Sequence, residues 1–161
     1  MIGKREASGA KTISPRRERG SVEAARRATL GLWGEEEVTT HLLRQGYITE
    51  VRRWSAPPLG EIDIVTLKGN MLCIVEVRTR QLLEDGTRPH IHPLETVTVQ
   101  KQRRVARTAE RYLSQRRGPP VEQVRFDIAV VWASHRAGPD GSSSLEEIEY
   151  FENAFSAPWV F

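Results

Sequence analysis

The chain has 161 residues, of which 39% are hydrophobic and 28% charged, and its formal net charge is +3 at pH 7. This length suits one domain, and no apolar run approaches the roughly 20 residues of a membrane-spanning helix. The N-terminus carries Lys4, Arg5 and Lys11 without an apolar segment, which argues against a secretory signal. A single cysteine, Cys73, argues against a disulfide framework, so we expect a cytoplasmic protein without a membrane partner.

The positive charge is concentrated in two zones. Residues 1–29 contain eight Lys or Arg and three Glu, and residues 98–117 contain seven Lys or Arg and one Glu. Basic zones of this kind are typical of proteins that bind polyanions, most simply nucleic acid. Residues 1–20 also lack hydrophobic periodicity and are rich in Ser, Gly and Arg. We therefore predict a disordered basic tail over residues 1–20 and a single domain over residues 21–161.

A first helix is predicted from about Val22 or Thr29 to Gln45, with Gly46 as its C-cap. In its second half, residues at helical spacing share one face: Gly31, Gly34, Glu35, Val38 and Leu42. A carboxylate on an apolar face needs a partner. Glu35 is therefore either a core-edge residue paired with an arginine or a functional carboxylate.

A β-hairpin is predicted between residues 61 and 80. Ile62–Leu67 and Met71–Arg78 are rich in β-branched residues, which favour a pleated, half-buried surface. Gly69-Asn70 separates them, and a two-residue loop with glycine first is typical of a primed hairpin turn. Such a loop fixes the register of the two strands, because Lys68 then faces Met71.

This register places two carboxylates, Asp63 and Glu76, opposite each other. One face is predicted to carry Asp63, Val65, Ile74 and Glu76, and the other Ile62, Ile64, Val75 and Val77. Opposed like charges are destabilising unless a cation lies between them. Mg²⁺ takes oxygen ligands and often only one or two carboxylates, so the pair is a candidate metal site. The alternative is an ordinary hairpin in which Asp63 pairs diagonally with Arg78.

The remaining elements complete an α/β pattern. A first strand is predicted at Tyr47–Trp54, a long loop at residues 80–97, a second helix from a Thr98 N-cap to about Gln115, and strands at Val124–Trp132 and Leu145–Phe151. The order of helix, three strands, helix and two strands predicts a mixed central sheet of about five strands with flanking helices.

The second helix has two distinct faces. Its apolar face is formed by Val105, Ala109, Tyr112 and Leu113. Its outer face carries an arginine stripe, defined as Arg103, Arg104, Arg107 and Arg111, which suits contact with a phosphate backbone. Lys101 lies in the first turn at the boundary between the two faces, so its side chain could reach inward.

Three blocks of residues together resemble a known family. The first is Gly34-Glu35 with Leu42 and Gly46-Tyr47, and the second is Gly60-Glu61-Ile62-Asp63 with Val75-Glu76-Val77-Arg78 and Arg80. The third is Lys101 at the start of a helix, with Arg125-Phe126-Asp127 and Asn153-Ala154-Phe155. This pattern is similar to the YraN family of small bacterial proteins, regarded as relatives of archaeal Holliday-junction resolvases in the PD-(D/E)xK nuclease superfamily. The resemblance covers roughly residues 29–155 and implies a restriction-endonuclease-like fold.

The resemblance also implies a metal-dependent nuclease site. Asp63 and Glu76 would hold Mg²⁺ or Mn²⁺, with the Val77 carbonyl as a further ligand and Glu35 as an assisting helix carboxylate. The lysine of the superfamily motif is replaced by Arg78. Arginine stays protonated and cannot act as a base, although its charge can stabilise a phosphoryl transition state. Lys101 could supply an amine from the second helix instead.

Three functional hypotheses follow. The first is a metal-dependent endonuclease acting on DNA, with branched or junction DNA as the leading substrate; because junction resolvases act as dimers, a homodimer is one expectation. The second is a noncatalytic nucleic-acid-binding protein that retains the nuclease fold. The third is a protein-interaction module without nucleic acid. The presence of Glu35, Asp63 and Glu76 favours the first hypothesis, and Arg78 favours the second.

Overall fold

The structure is a computed structural model that describes residues 15–90, 92–134 and 143–157. Its helices and strands follow the predicted order: α1 (Pro15–Arg44), β1 (Ile48–Ala56), β2 (Gly60–Lys68), β3 (Met71–Gln81), α2 (Val99–Gln115), β4 (Gln123–Ala133) and β5 (Leu145–Phe155). A short 3₁₀ helix at Pro93–Thr96 interrupts the long loop between β3 and α2. None of the helices in these ranges has both the length and the apolar character needed to cross a lipid bilayer.

The five strands form one mixed sheet in the order β1-β2-β3-β4-β5. β3 and β4 are parallel and are connected through α2, whereas the other neighbouring pairs are antiparallel. The helices cover opposite faces, since Val38 and Leu42 of α1 pack in one hydrophobic cluster and Val105 and Ala109 of α2 in another. This three-layer α/β arrangement confirms the predicted fold class and is consistent with the restriction-endonuclease-like fold.

α1 begins at Pro15, well before the predicted start at Val22 or Thr29. Proline is favoured at the first position of a helix, and the Arg, Glu and Ala residues that follow are good helix formers. Residues 15–20 of the predicted tail thus belong to α1, whereas residues 1–14 lie outside the described part of the chain. Residues 20–29 are exposed, so this half of α1 lacks the apolar periodicity by which a packed helix is recognised in a sequence.

The predicted C-cap of α1 is confirmed. Gly46 has a φ of +82°. The amide of Gly46 donates to the Leu43 carbonyl at 3.0 Å, and the amide of Tyr47 donates to the Leu42 carbonyl at 3.1 Å. These two bonds form a Schellman motif, which satisfies carbonyls at the end of the helix and requires a left-handed residue at the glycine position.

β2 and β3 pair in the predicted register. Lys68 opposes Met71, and Val65 opposes Ile74. Gly69 has a φ of +61° whereas Asn70 has no positive φ, as a type II′ turn requires. The paired ladder ends at Ile64 and Val75, which is one step before Asp63 and Glu76.

The alternation of side chains along β2 breaks at Asp63. Ile62 packs in the cluster beneath α2, and Ile64 packs in the cluster beneath α1. The prediction that Ile62 and Ile64 share one face is therefore wrong. Residues two apart in a regular strand share a face, so the break shows that β2 is irregular where it separates from β3. Asp63 lies at that separation.

Candidate active site

The candidate site lies where β2 separates from β3. Asp63 Oδ2 accepts a hydrogen bond of 2.8 Å from the backbone amide of Val77, so a side chain satisfies the amide that the ladder no longer pairs. Glu76 precedes Val77 on β3 and is only 1% exposed. The alternative pairing of Asp63 with Arg78 is not what the structure shows, because the ion-pair partner of Arg78 is Glu76.

Two cations contact the same oxygen of Glu76. Lys101 Nζ lies 3.0 Å from Glu76 Oε1, and Arg78 Nη2 lies 3.2 Å from it. Lys101 reaches inward from the first turn of α2, where its amide donates to the Thr98 side chain at 3.3 Å and so forms the predicted N-cap. Among the described residues, Glu76 Oε2 has no hydrogen-bond partner. The carboxylate is thus balanced in charge but retains the capacity to bind a further ligand.

Burial and mutual repulsion perturb three carboxyl groups. Burial raises the pKa of Glu76 to about 7, and the charge of Asp63 adds to this effect. The same two causes, in the same order, raise the pKa of Glu35 to about 7. Burial also raises the pKa of Asp63, although the hydrogen bond from Val77 opposes the change. Perturbed carboxyl groups that act on one another in this way are characteristic of functional sites.

A close approach between α1 and β3 positions Glu35. Gly34 is buried against Thr79, and a Cβ atom on Gly34 would lie only 1.9 Å from Thr79 Oγ1. The absence of a side chain at Gly34 therefore allows the helix to approach the strand. Glu35 is the next residue, and its Oε2 is buried without a hydrogen-bond partner among the described residues. The helix carboxylate thus lies near enough to Asp63 for their charges to interact.

Arg53 borders the site, although no motif in the sequence indicates a role for it. The β1–β2 register pairs Arg52 with Ile64 and Trp54 with Ile62, so Arg53 stands opposite Asp63. Arg53 Nε lies 3.2 Å from Glu61 Oε1. Only extending the hairpin register to β1 would have revealed this residue. A register shift between Thr49 and Val51 makes that extension unreliable.

The arginine stripe is exposed along its full length. Within the described ranges, no acidic side chain forms an ion pair with any of its four members. The carbon stem of Arg104 packs over Gly60, where an added Cβ would lie 3.0 Å from both Arg104 Cγ and Cδ. Arg104 therefore lies against the start of β2, the strand that carries Asp63.

The Arg125-Phe126-Asp127 block forms a buried network that links β4 to β5. Asp127 is 0% exposed, and the Arg125 guanidinium donates to its two oxygens at 2.8 and 2.9 Å. The Tyr150 hydroxyl donates to Asp127 Oδ2 at 2.6 Å, and the Asn153 amide donates to Oδ1 at 2.8 Å. A buried charge with this many partners is well satisfied, so this part of the family pattern has a structural explanation.

A groove of about 640 Å³ lies away from the carboxylates. It is lined by residues 82–86 together with Ser134 and Glu146, and none of the predicted site residues contributes to it. Glu84, Asp85 and Glu146 give the groove an acidic lining. Since like charges repel, this groove is poorly suited to a polyanion, whereas the surface beside the arginine stripe is well suited.

The site offers hard oxygen donors, which fit Mg²⁺ or Mn²⁺. Within the described ranges, no group of three or more His, Cys, Asp or Glu side chains is arranged to hold a metal ion. A cation bound by Asp63 and Glu76 would therefore need water and a backbone carbonyl to complete its shell. Glu76 Oε2 accepts no hydrogen bond from the described part of the chain, so it is a suitable donor to a metal, and the Val77 carbonyl remains a predicted ligand.

The three layers and the buried carboxylates define the class of the protein: an α/β protein with an architecture consistent with the restriction-endonuclease-like fold. The model of the family described as "Uncharacterised protein family UPF0102" matches residues 34–131. The chain belongs to this family, which confirms the resemblance to YraN proteins. The matched region contains Glu35, Asp63, Glu76 and Lys101.

Relatives from several bacteria support the same assignment. The UPF0102 protein of Syntrophotalea carbinolica is 38% identical over 129 residues, which cover 80% of this chain and 93% of the relative. That of Lachnoclostridium phytofermentans is also 38% identical, over 79% of this chain and 92% of the relative. That of Dictyoglomus thermophilum is 35% identical, over 78% and 96%. The similarity therefore spans nearly the whole length of these relatives.

Proposed function

We propose that this protein is a metal-dependent endonuclease that hydrolyses phosphodiester bonds in DNA, with branched or junction DNA as the leading substrate. The observation that carries the proposal is the buried carboxylate of Glu76, which lies beside Asp63 and is contacted by both Lys101 and Arg78. Burying carboxylates this close together costs stability. A function that uses their charge accounts for that cost, whereas a purely structural role does not.

Asp63 and Glu76 would hold the metal, Mg²⁺ or Mn²⁺, with the Val77 carbonyl as a further ligand. When bound, a divalent cation lowers the pKa of a coordinated water and neutralises charge on the scissile phosphate. The Val77 amide fixes the orientation of Asp63 through its hydrogen bond of 2.8 Å. Glu35 lies close enough to Asp63 to assist through its Oε2, which has no hydrogen-bond partner within the described ranges.

Lys101 and Arg78 would have different roles beside Glu76. The guanidinium of Arg78 stays protonated, so it offers a permanent positive charge to the phosphate oxygens. The ammonium of Lys101 is a compact donor that is able to give up a proton, so it is suited to orient the attacking water or to protonate the leaving oxygen. Both are held at the same carboxylate oxygen, at 3.2 and 3.0 Å. The motif lysine that Arg78 replaces would thus be supplied by α2.

The arginine stripe would hold the DNA backbone across the site. Its members are exposed and the stem of Arg104 packs over Gly60 at the start of β2. Contacts between arginine and phosphate release counterions and give affinity without sequence preference. Binding without sequence preference suits a nuclease that recognises the shape of its substrate. A cytoplasmic location and a homodimer remain predictions.

A noncatalytic DNA-binding protein is the second candidate. The observation in its favour is Arg78, because its guanidinium occupies the strand position of the motif lysine and cannot act as a base. In this case the same surface would bind DNA through the arginine stripe without cleaving it.

A cleavage assay separates the two candidates. Purified wild type would be incubated with linear duplex, single-stranded and four-way-junction DNA in Mg²⁺, Mn²⁺ or EDTA. The nuclease proposal predicts cleavage of at least one form that requires metal and is lost in Glu76→Ala. Binding of DNA without cleavage of any form in either metal would contradict the nuclease proposal and support the second candidate.

A further inference from the structure

The backbone of Arg53 adopts an unusual conformation beside the carboxylates. Its φ is +52°, a region that residues other than glycine rarely adopt. Such conformations persist where the surrounding structure enforces them, and they cluster at functional sites. Arg53 stands opposite Asp63 on β1, which is an edge strand of the sheet. A bound duplex could therefore reach the Arg53 side chain from the open edge.

The guanidinium of Arg53 is held only loosely by Glu61. The two side chains are 47% and 39% exposed, and their closest ion-pair contact is 3.2 Å. Ion pairs this exposed contribute little to stability because water competes for both partners. Another anion can therefore replace Glu61 with little loss. Phosphate is well suited, since a guanidinium presents paired N–H donors that match two phosphate oxygens.

Two of the other cations beside the carboxylates are committed to a buried partner. Lys101 and Arg78 both contact Glu76, whose side chain is 1% exposed. The charge of Arg53 also reaches the site, since it lowers the pKa of Glu35 against the larger effect of burial. Arg53 thus combines proximity to the site with a partner that it can exchange.

We propose that Arg53 is a phosphate-binding residue. On contact with DNA its guanidinium leaves Glu61 and binds a backbone phosphate next to the phosphodiester held at Asp63 and Glu76. This inference rests on the proposed function, because the phosphodiester at the carboxylates brings the neighbouring phosphate to β1. Glu61 acts as an internal competitor that holds the Arg53 side chain when DNA is absent.

The test is DNA affinity in EDTA, measured by fluorescence anisotropy with labelled duplex and four-way-junction DNA. Arg53→Gly should fold at least as stably as wild type, since glycine adopts this φ without strain. Its Kd should nevertheless rise about tenfold near 0.1 M salt, and its salt slope should become shallower by about 0.9, as expected for one lost phosphate contact. Glu61→Gln should lower the Kd because it removes the competitor.

Arg27 and Glu23 provide a matched control, because they form an exposed ion pair of 3.9 Å on α1. Arg27→Gln and Glu23→Gln change the net charge equally and should alter the Kd much less. An equal rise in Kd for Arg53→Gly and Arg27→Gln, or no fall in Kd for Glu61→Gln, would overturn this inference but not the proposed function. A wild type that binds neither DNA would overturn both the inference and the proposed function.

Discussion

The ammonium group of Lys101 lies 3.0 Å from the buried carboxylate of Glu76, so α2 delivers an amine to β3. Arg78 contacts the same oxygen from two residues further along β3. The family pattern places one positive charge on the strand. This protein has two beside Glu76, the guanidinium of Arg78 on β3 and the amine of Lys101 on α2. Only the amine is able to exchange a proton.

Substitutions at Lys101 and Arg78 should therefore differ in their effect on cleavage. Lys101→Arg preserves the charge but not the ability to exchange a proton, and should lose about 10²–10³-fold in kcat. Arg78→Lys preserves the charge and should retain most activity, whereas Arg78→Ala should not. Single-turnover cleavage in Mg²⁺ measures these rates. Full activity of Lys101→Arg would show that Lys101 acts only as a charge.

The raised pKa of Glu76 predicts a particular pH dependence of stability. The pKa of Glu76 rises from 4.5 to about 7 on folding. Between these two pH values the folded state therefore binds more protons than the unfolded state. The free energy of unfolding contributed by Glu76 therefore falls as pH rises through this window. In EDTA, Glu76→Gln should gain on the order of 1–3 kcal/mol relative to wild type between pH 4.5 and pH 8.

Denaturant unfolding of both proteins at several pH values checks this prediction. The comparison with wild type cancels the contributions of other groups to the pH dependence of stability. One such group is Glu50, whose pKa is lowered mainly by its hydrogen bond from Arg116. A stability difference between Glu76→Gln and wild type that stays constant with pH, or falls as pH rises, would contradict the assigned direction of the pKa shift.

Two glycines of α1 offer a paired test of how Glu35 is positioned. Gly34→Ala would place Cβ 1.9 Å from Thr79 Oγ1, so α1 must move away from β3. We expect a loss of about 1–3 kcal/mol, as for other overpacked positions, together with reduced cleavage. A methyl group added at Gly31 would meet nothing within 4 Å, so Gly31→Ala should stabilise the helix by about 0.5–1 kcal/mol. Thermal unfolding distinguishes the two.

Replacing Thr79 by alanine should partly restore the stability lost in Gly34→Ala. Thr79→Ala removes the Oγ1 atom that meets the new Cβ of Gly34→Ala. The double variant should therefore be more stable than Gly34→Ala alone. Destabilisation that is unchanged by Thr79→Ala would show that contact with Thr79 is not the cause.

The arginine stripe should supply nonspecific affinity for DNA. Arg107→Gln/Arg111→Gln should weaken binding to all DNA sequences about equally and reduce the salt slope by about two units. Arg26→Gln/Arg44→Gln removes two exposed arginines of α1 and serves as the control. The Kd would be measured as a function of salt concentration. Identical slopes for the two double variants would show that the stripe is only a solvated surface.

Much of the fold was predictable because local chemistry determines it. Gly69-Asn70 selects a type II′ turn, and that turn fixes the register of β2 and β3. Thr98 and Gly46 likewise mark the ends of helices through their capping bonds. The start of α1 was missed because residues 20–29 are exposed and lack an apolar face.

The carboxylates of the site were predictable, but their surroundings were not. The hairpin register, extended one step past its last pair of Ile64 and Val75, predicts Asp63 and Glu76 as neighbours, whereas the position of Arg53 depends on a register shift in β1 that has no local sequence signal. The contact between Lys101 and Glu76 joins α2 to β3 and depends on tertiary packing. Helical periodicity places Lys101 at the boundary of the helix faces but does not identify its partner.

Metal binding by Asp63 and Glu76 is the central claim, and a metal titration tests it most directly. Mg²⁺ or Mn²⁺ should raise the Tm of wild type progressively, because ligands that bind the native state stabilise it. In Asp63→Asn/Glu76→Gln the metal effect should vanish while the Tm in EDTA holds or rises. Glu84→Gln/Glu95→Gln, which neutralises two exposed acids elsewhere, should respond as wild type does. Equal stabilisation of wild type and Asp63→Asn/Glu76→Gln by metal would contradict the claim.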